Sequence, residues 1–263
     1  MKHVLIIILM LFIYSSGSGQ EQQKTVPTPP KPASPEKMTP GMTEIWDPEV
    51  KIIQPGATDR DAPSDAIVLF NGSDINSEWT DNLGNPSKWI VQEGALVCVR
   101  GSGVIKSKRK FSNFQLHIEW RTPSEVTGES QGRGNSGVYL QELYEIQVLD
   151  SYNNRTYRNG QAGSIYKQYP PLVNTCRKPG EWQSYDVIYT SPIFGNDSTT
   201  YAIPPKVTVF QNGVLVQNNV ILRGPTEYIG IPEYFIKKHG PGSLVLQDHG
   251  NPVAYRNIWI REL

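Results

Sequence analysis

The chain shows no excess of charge of either sign. Its 263 residues include 25 acidic and 25 basic side chains, so the formal net charge is zero. A protein that binds nucleic acid through its phosphates needs a surface on which Lys and Arg predominate. The composition therefore argues against nucleic acid as a partner.

Long apolar runs are missing after the N-terminus. The first run, Val4 to Tyr14, follows Lys2 and His3 and precedes small residues up to Gly19. This is the three-part layout of a secretory signal peptide. The run is shorter than the roughly 20 residues of a membrane span, and no cysteine nearby could accept a lipid. A retained anchor is the alternative, but we expect residues 1–19 to be a signal peptide. The product would then be exported, periplasmic or secreted, without a membrane span after signal cleavage.

Helical periodicity is absent as well, and strand patterns replace it. No window shows a convincing apolar period of 3.6 residues over three turns, and no internal repeat is present. Short runs of Val, Ile, Tyr, Phe and Trp are instead bounded by Gly, Pro, Asn and Asp, which predicts a sandwich or barrel. Asn212-Gly213 predicts a type I′ hairpin between two runs. The predicted strands are Ala66–Phe70, Trp89–Gln92, Ala95–Val99, Phe114–Arg121, Ser136–Gln141, Tyr144–Leu149, Gln183–Thr190, Lys206–Phe210, Val214–Asn219, Ser243–Gln247 and Tyr255–Glu262.

Cysteine is also scarce. Cys98 and Cys176 are the two in the chain, and Cys98 alternates with Leu96 in a strand-like run. A buried free thiol and a disulfide both remain open, even in an oxidising compartment.

Proline marks the boundary of the folded domain. Six prolines between Thr25 and Gly41 oppose helix and sheet, which predicts an extended spacer without fixed structure. Residues 43–64 also contain apolar side chains such as Trp46 and Ile52, and we interpret them as an arm on the domain surface. Residues 20–64 are therefore linker and arm. Residues 65–263 are long enough for one domain with a sizeable core.

Side-chain parity predicts a polar face on two strands. Leu116, Ile118 and Trp120 share one face of their strand, whereas Glu119 and Arg121 lie on the other. Glu145 and Gln147 likewise alternate with apolar residues. A polar and aromatic face on a curved sheet would form a trough for a sugar, which offers hydroxyls and C–H faces.

Eight strings in the chain resemble one family. In order they read Ile67-Val-Leu-Phe-Asn-Gly72, Phe114-Gln-Leu-His-Ile-Glu-Trp-Arg121, Gly134-Asn-Ser-Gly-Val-Tyr-Leu140, Tyr144-Glu-Ile-Gln-Val-Leu-Asp-Ser151, Gln161-Ala-Gly-Ser-Ile-Tyr166, Pro179-Gly-Glu-Trp-Gln183, Leu246-Gln-Asp-His-Gly250 and Tyr255-Arg-Asn-Ile-Trp-Ile260. The ordered set resembles the 3-keto-disaccharide hydrolase domain family. The resemblance covers residues 65–263. It implies a concanavalin A-like jelly-roll β-sandwich of two antiparallel sheets, in an exported enzyme acting on glycosides oxidised to a ketone at C3.

Such a substrate sets its own chemical demands. A C3 ketone acidifies the C2 proton, so a general base can form an enolate that expels the C1 aglycone, after which water adds. The site would need a base near C2, a cation or donors at the C3 oxygen, and an acid at the leaving oxygen. An ordinary glycosidase needs two carboxylates flanking the bond.

The strand around Glu145 favours the first set. Jelly-roll glucanases of similar fold carry two catalytic acids at alternating strand positions, but here Gln147 and Leu149 follow Glu145. Glu145 is therefore the candidate base, with a metal ligand or an ion-paired strand carboxylate as alternatives. His249 is a candidate acid, base or ligand, or else a loop residue beside a turn. Arg121 would hold the enolate oxygen or neutralise Glu119.

The remaining candidates are assigned to substrate binding. They are Asn135, Tyr139, Gln147, Asp150, Lys167 and Trp182. Lys167 is an electrophile or a solvated loop lysine, Asp150 binds hydroxyls or caps a turn, and Asn135 presents its amide or shapes a strand entry. Tyr139 and Trp182 are stacking residues or core. We expect the polar faces of Glu119–Arg121 and Glu145–Gln147 to border one pocket, with His249 at its rim.

A metal ion and a non-catalytic role remain alternatives. Glu145, Gln147, His249 and Asp150 could hold a divalent metal ion as a cofactor, although no compact ligand spacing supports it. A carbohydrate-binding module of the same fold would show an open aromatic platform without a buried ionisable cluster. The sequence leaves the oligomeric state open.

Overall fold

The computed structural model of the chain describes residues 39–196, 201–230 and 238–263. The predicted signal peptide and the spacer up to residue 38 lie outside this range. The strands are β1 (Ile67–Phe70), β2 (Trp79–Asp81), β3 (Ile90–Gln92), β4 (Ala95–Val97), β5 (Ile105–Ser107), β6 (Phe114–Arg121), β7 (Ser136–Leu140), β8 (Tyr144–Val148), β9 (Gln183–Thr190), β10 (Ile193–Phe194), β11 (Tyr201–Ile203), β12 (Lys206–Gln211), β13 (Val214–Ile221), β14 (Val245–Leu246) and β15 (Ala254–Glu262). Three short 3-10 helices cover Pro40–Met42, Ser130–Gly132 and Arg158–Gly160. In these residues no helix has the length and apolarity that a bilayer crossing requires.

Two antiparallel sheets form the sandwich, and β10 and β11 pair as a separate two-stranded sheet, which confirms the predicted all-β fold. The large sheet has the order β13-β12-β9-β6-β15-β4-β3, with β1 also paired to β15, and the small sheet has the order β2-β5-β14-β7-β8. Ile118 and Trp120 of β6 belong to the same buried cluster as Val138 of β7 and Ile146 of β8. These apolar faces meet because burying them removes their surface from water. The polar faces of β6 and β8 therefore point away from each other, on opposite outer sides.

The predicted hairpin at Asn212-Gly213 is confirmed. Gln211 pairs with Val214, which leaves a two-residue loop. Both loop residues have positive φ, 53° for Asn212 and 80° for Gly213. A type I′ turn requires this geometry, which Asn and Gly adopt at the lowest cost.

Residues 51–65 lie on the outer face of the large sheet. The carbonyl of Arg60 accepts hydrogen bonds from Trp259 Nε1 at 2.9 Å and from Asn257 Nδ2 at 3.0 Å. On the same face His117 is fully buried and stacks on Trp259 with ring centroids 5.4 Å apart. Its Nδ1 lies 2.6 Å from Asp186 Oδ1. The part of this face around His117 and Trp259 is therefore covered by the chain's own contacts.

Both cysteines are free thiols, which decides between the two alternatives left by the sequence. Burial raises the pKa of the Cys98 thiol far above its usual range, and the Asp248 carboxylate adds to the effect. Burial also raises the pKa of Cys176 to about 11, although the side-chain contact from Gln211 opposes it. Since the thiolate is the reactive form, neither cysteine is poised as a nucleophile.

Candidate active site

The outer face of the β7–β8 hairpin forms the floor of a pocket of about 290 Å³. Tyr139 pairs with Glu145 across the two strands, and Gly137 pairs with Gln147. Strand alternation turns these side chains away from the core, to which Val138 and Ile146 point. The pocket is lined by Asn135, Tyr139, Glu145, Gln147, Tyr166, Thr226, Tyr228, Gln247 and His249.

The segment Gly163–Tyr166 forms one wall of the pocket. It hydrogen-bonds to the edge of β8 that does not face β7. Ser164 O accepts from Gln147 N and Gln147 O accepts from Gly163 N, both at 3.0 Å. Tyr166 N donates to Glu145 O at 3.1 Å. Because the segment follows the strand, it brings the Tyr166 side chain to the pocket beside Glu145.

Glu145 is the only carboxylate among the described residues that line this pocket. Its side chain is buried, with 3% of the residue exposed. Burial raises the pKa of Glu145 to about 7, and a hydrogen bond from the Tyr139 hydroxyl opposes this rise in part. A carboxyl with such a pKa can exchange a proton near neutral pH, as a general base or acid must.

Gly137 provides the space that this carboxyl occupies. A Cβ atom at position 137 would collide with Glu145 Oε1 and would lie 3.0 Å from Tyr139 Cε2. The glycine in the string Gly134-Asn-Ser-Gly-Val-Tyr-Leu140 is thus required by the close approach of the cross-strand neighbour.

The string Leu246-Gln-Asp-His-Gly250 forms the opposite wall. Gln247 Nε2 donates to the Tyr139 hydroxyl at 3.2 Å, and His249 is exposed at the rim. Asp248 points elsewhere, because its carboxylate accepts from Gly103 N at 3.0 Å and Gly250 N at 2.8 Å. Asp248 therefore orders the turn that presents Gln247 and His249.

Lys167 lies among three tyrosines beside the pocket. Its Nζ is 4.6 Å from the ring centroid of Tyr157, 5.5 Å from that of Tyr228 and 5.9 Å from that of Tyr166. The aromatic faces attract the ammonium group. Lys167 has a φ of 63°, a conformation that costs free energy for a residue with a side chain. The Lys167 ammonium is thus placed at this wall by a backbone conformation that is strained for a residue with a side chain.

Asp150 does not join the pocket. Its buried carboxylate lies 2.6 Å from Arg133 Nε and accepts from Tyr152 N at 3.1 Å. The proposed metal-ligand set of Glu145, Gln147, His249 and Asp150 is therefore not assembled, because Asp150 is engaged by Arg133. In the part of the chain that the structure describes, no three His, Cys, Asp or Glu residues cluster as metal ligands do.

Arg121 and Trp182 lie on the large sheet, so the expectation of one pocket shared by β6 and β8 is wrong. Arg121 lines a different cavity of about 390 Å³ together with Glu93, whose carboxylate is 4.0 Å away. Its guanidinium lies 4.7 Å from the Trp182 ring, which also packs against Arg256 at 4.1 Å. The physical reason is that β6 and β8 direct their apolar residues to one shared core. Their polar residues consequently lie on opposite outer faces.

Of the nine candidates from the sequence, five line the pocket and Lys167 lies beside it. The five are Asn135, Tyr139, Glu145, Gln147 and His249. Sequence reasoning missed Tyr166, Thr226, Tyr228 and Gln247. Tyr166 and Gln247 stand inside family-like strings and could have been found there. Thr226 and Tyr228 lie in an irregular segment that carries no such signal, although Thr226 Oγ1 accepts from Glu145 N at 2.9 Å.

Comparison with known proteins gives consistent results. Residues 65–261 match the protein family described as 3-keto-alpha-glucoside-1,2-lyase-like domain. A protein from Bacteroides thetaiotaomicron named 3-keto-disaccharide hydrolase is 25% identical, over 75% of this chain and 78% of its own length. A candidate glycosyl hydrolase of known structure from Parabacteroides distasonis is 50% identical, with a TM-score of 0.82, over 89% of this chain and 100% of the other. A second one from that organism, 24% identical over 75% and 94%, has the same fold with a TM-score of 0.54.

Proposed function

The chain belongs to the 3-keto-alpha-glucoside-1,2-lyase-like domain family, and from this membership we propose that it cleaves glycosides whose sugar carries a ketone at C3. One observation carries the proposal beyond the family description. The pocket holds a buried carboxyl, Glu145, with a pKa of about 7, and no second carboxylate among its described lining residues. Abstraction of a proton next to a ketone needs one such base, whereas ordinary glycoside hydrolysis needs a pair.

The reaction proceeds in two stages. Glu145 removes the proton from C2, and the electron pair of that bond forms an enolate on the C3 oxygen. The enolate then expels the aglycone oxygen from C1, which takes up a proton and leaves an enone. Water adds its hydroxyl to C1 and a proton to C2, so the sum is hydrolysis. The first stage alone is a lyase reaction.

The other pocket residues supply the remaining requirements. Lys167 brings a positive charge to the wall, where it would stabilise the developing C3 oxyanion. His249 stands at the open rim, where an acid can reach a leaving oxygen that points to solvent. Asn135, Tyr139 and Gln247 offer hydrogen-bonding groups to sugar hydroxyls.

A non-catalytic carbohydrate-binding module is the rival function. Such a module would need an accessible aromatic platform, whereas the base of this pocket is a buried ionisable group. Keeping a carboxyl buried costs free energy, and binding of a neutral sugar does not require it. The pocket therefore fits catalysis better than binding alone.

The test is to incubate the protein in D₂O with a 3-keto-disaccharide and, separately, with its unoxidised parent. We expect cleavage of the keto substrate alone and deuterium at C2 of the released sugar, because that hydrogen returns from solvent. The released sugar incubated with heat-inactivated protein controls for spontaneous exchange. Equal cleavage of both disaccharides, or cleavage without deuterium at C2, would contradict the elimination route.

Glu145→Gln separates chemistry from binding. The amide keeps the shape and can still hydrogen-bond to sugar hydroxyls, but it cannot accept the C2 proton. We expect turnover to fall roughly 10²–10⁴-fold, as for a lost general base, while affinity for the keto substrate persists. Glu125→Gln, which changes an exposed carboxyl, serves as the matched control and should retain full turnover.

We also propose that the chain is exported, since its first 19 residues have the layout of a signal peptide. Mass spectrometry of the protein from fractionated cells should find a mature N-terminus near residue 20 outside the cytoplasm. An intact Met1 in the cytoplasmic fraction would contradict export.

A further inference from the structure

The side-chain amide of Gln147 is surrounded by four oxygen atoms. One end of the amide lies 3.0 Å from Gln131 Oε1 and 3.2 Å from Asn135 Oδ1. The other end lies 3.0 Å from Glu145 Oε1 and 3.2 Å from the carbonyl of Ser136. An amide has a donor end and an acceptor end. One end must therefore face oxygens without being able to donate to them.

The orientations of the neighbouring amides are fixed by backbone carbonyls. Gln131 Nε2 donates to Gly160 O at 2.9 Å, and Asn135 Nδ2 donates to Gln131 O at 2.6 Å. Rotating either amide by half a turn would place its oxygen against a carbonyl oxygen. Both amides consequently present their oxygens to Gln147, whose Nε2 donates to them.

This arrangement leaves the amide oxygen of Gln147 against Glu145 Oε1. Two oxygens of buried side chains in direct contact at 3.0 Å need a proton between them. The Ser136 carbonyl has no proton to give, whereas Glu145 can carry one. The contact with Gln147 thus matches a neutral Glu145, whereas the hydrogen bond from the Tyr139 hydroxyl favours the ionised form.

We propose that Gln147 is a positioning residue whose amide oxygen, fixed by Gln131 and Asn135, accepts the proton of Glu145 and so keeps this carboxyl neutral in the resting site. The titratable groups that line the pocket with Glu145 are Tyr139 from β7, Tyr166 from the wall beside β8, Tyr228 from the irregular segment and His249 from the opposite wall, and the Lys167 ammonium lies against the rings of Tyr166 and Tyr228. The consequence for catalysis rests on the proposed function. The network makes Glu145 a stronger base than an ordinary carboxylate, one that becomes available close to neutral pH.

The test follows the protonation of Glu145 directly. The C=O stretch of a neutral carboxylic acid is titrated by infrared difference spectroscopy and assigned by its loss in Glu145→Gln. We expect Gln147→Met, which removes the proton acceptor, to lower the titration midpoint by about one pH unit, the equivalent of one hydrogen bond. Gln131→Met should lower it as well, because Asn135 alone then opposes the rotation by which Gln147 would donate to the carboxylate.

Gln141→Met is the matched control. Gln141 is also a buried glutamine at the end of β7, but its amide bonds to Phe111 O and Ser191 Oγ, away from the pocket. This variant loses buried hydrogen bonds of the same kind, so a purely structural effect would appear in it too. We expect its midpoint to stay at the wild-type value.

The outcomes separate this inference from the proposed function. An unchanged or raised midpoint in both Gln147→Met and Gln131→Met would overturn the role of Gln147, whatever the substrate. If the midpoints fall but no keto-glycoside is cleaved, the positioning role stands and the proposed function fails. With an active enzyme, the acidic limb of the kcat/KM profile should move together with the infrared midpoint, and Gln141→Met should leave it in place.

Discussion

Replacing Glu145 by Gln should make the protein more stable at alkaline pH, even though it removes the proposed catalytic base. Burial raises the pKa of Glu145 from 4.5 to about 7 in the folded chain. Below the unfolded pKa the carboxyl is neutral in both states and costs nothing. As the pH rises through the folded pKa, the buried group must ionise, and the stability conferred by its neutral form is lost. The amide of Gln never incurs this loss.

The magnitude follows from the difference between the two pKa values. A change from 4.5 to about 7 is about 2.5 units, and each unit corresponds to about 1.4 kcal/mol, which gives roughly 3–4 kcal/mol in total. Between about pH 5 and about pH 8, roughly 2–3 kcal/mol of this should appear. We therefore expect similar free energies of unfolding for wild type and Glu145→Gln at the lower pH, and a more stable variant at the higher pH.

Urea unfolding followed by tryptophan fluorescence at several pH values measures this difference. Trp79 and Trp120 are fully buried and report on the core. Because every other group titrates equally in both proteins, the difference between their stabilities isolates Glu145. Glu125→Gln should show a small difference that does not grow with pH. A wild-type advantage at pH 8, or a difference independent of pH, would refute the assignment of Glu145 as a buried carboxyl that resists ionisation.

Three other changes test the geometry. Gly137→Ala should displace the Glu145 carboxyl and lower kcat/KM roughly 10²-fold with little loss of secondary structure, measured by steady-state kinetics and circular dichroism; full activity would show that the carboxyl needs no such space. Arg121→Ala should leave kcat/KM unchanged, since Arg121 lies on the opposite outer face. A large loss of kcat would show that Arg121 takes part in catalysis after all. His117→Gln should destabilise the protein more at acidic than at alkaline pH, measured by thermal unfolding. Burial lowers the pKa of His117, but the contacts with Asp186 and Glu119 outweigh it and raise the pKa above 6.5. Its stabilisation is therefore complete below the unfolded pKa and is lost as the pH rises through the raised one. A pH-independent effect would contradict this.

The sequence predicted all the long strands and several of the short ones, but it missed four strands of two or three residues. The bounds of Phe114–Arg121 and Gln183–Thr190 are those expected, because eight residues allow several alternations between core and surface. Trp79–Asp81 and Ile105–Ser107 were missed, since three residues cannot establish a period of two. These two strands pair with each other in the small sheet and owe their conformation to that pairing.

The candidate site was predictable up to the choice of face. Side-chain parity shows that Glu145 and Arg121 both point away from the core. A sandwich has two outer faces, however, and the pattern within one strand does not show on which of them a side chain lies. Glu145, Tyr139 and Gln147 meet because hydrogen-bonded neighbours are fixed by the β7–β8 register. Tyr228 reaches the pocket from an irregular segment, and its position depends on packing between residues distant in sequence.

The wall that brings Tyr166 to the pocket also covers one edge of the small sheet. β8 is the last strand of the small sheet, and the segment Gly163–Tyr166 occupies its outward hydrogen-bonding groups. An uncovered strand edge invites pairing with another chain and hence aggregation. Shortening this segment to admit a bulkier aglycone would uncover that edge. The breadth of substrates that such a pocket can evolve to accept is therefore limited by solubility as well as by fit.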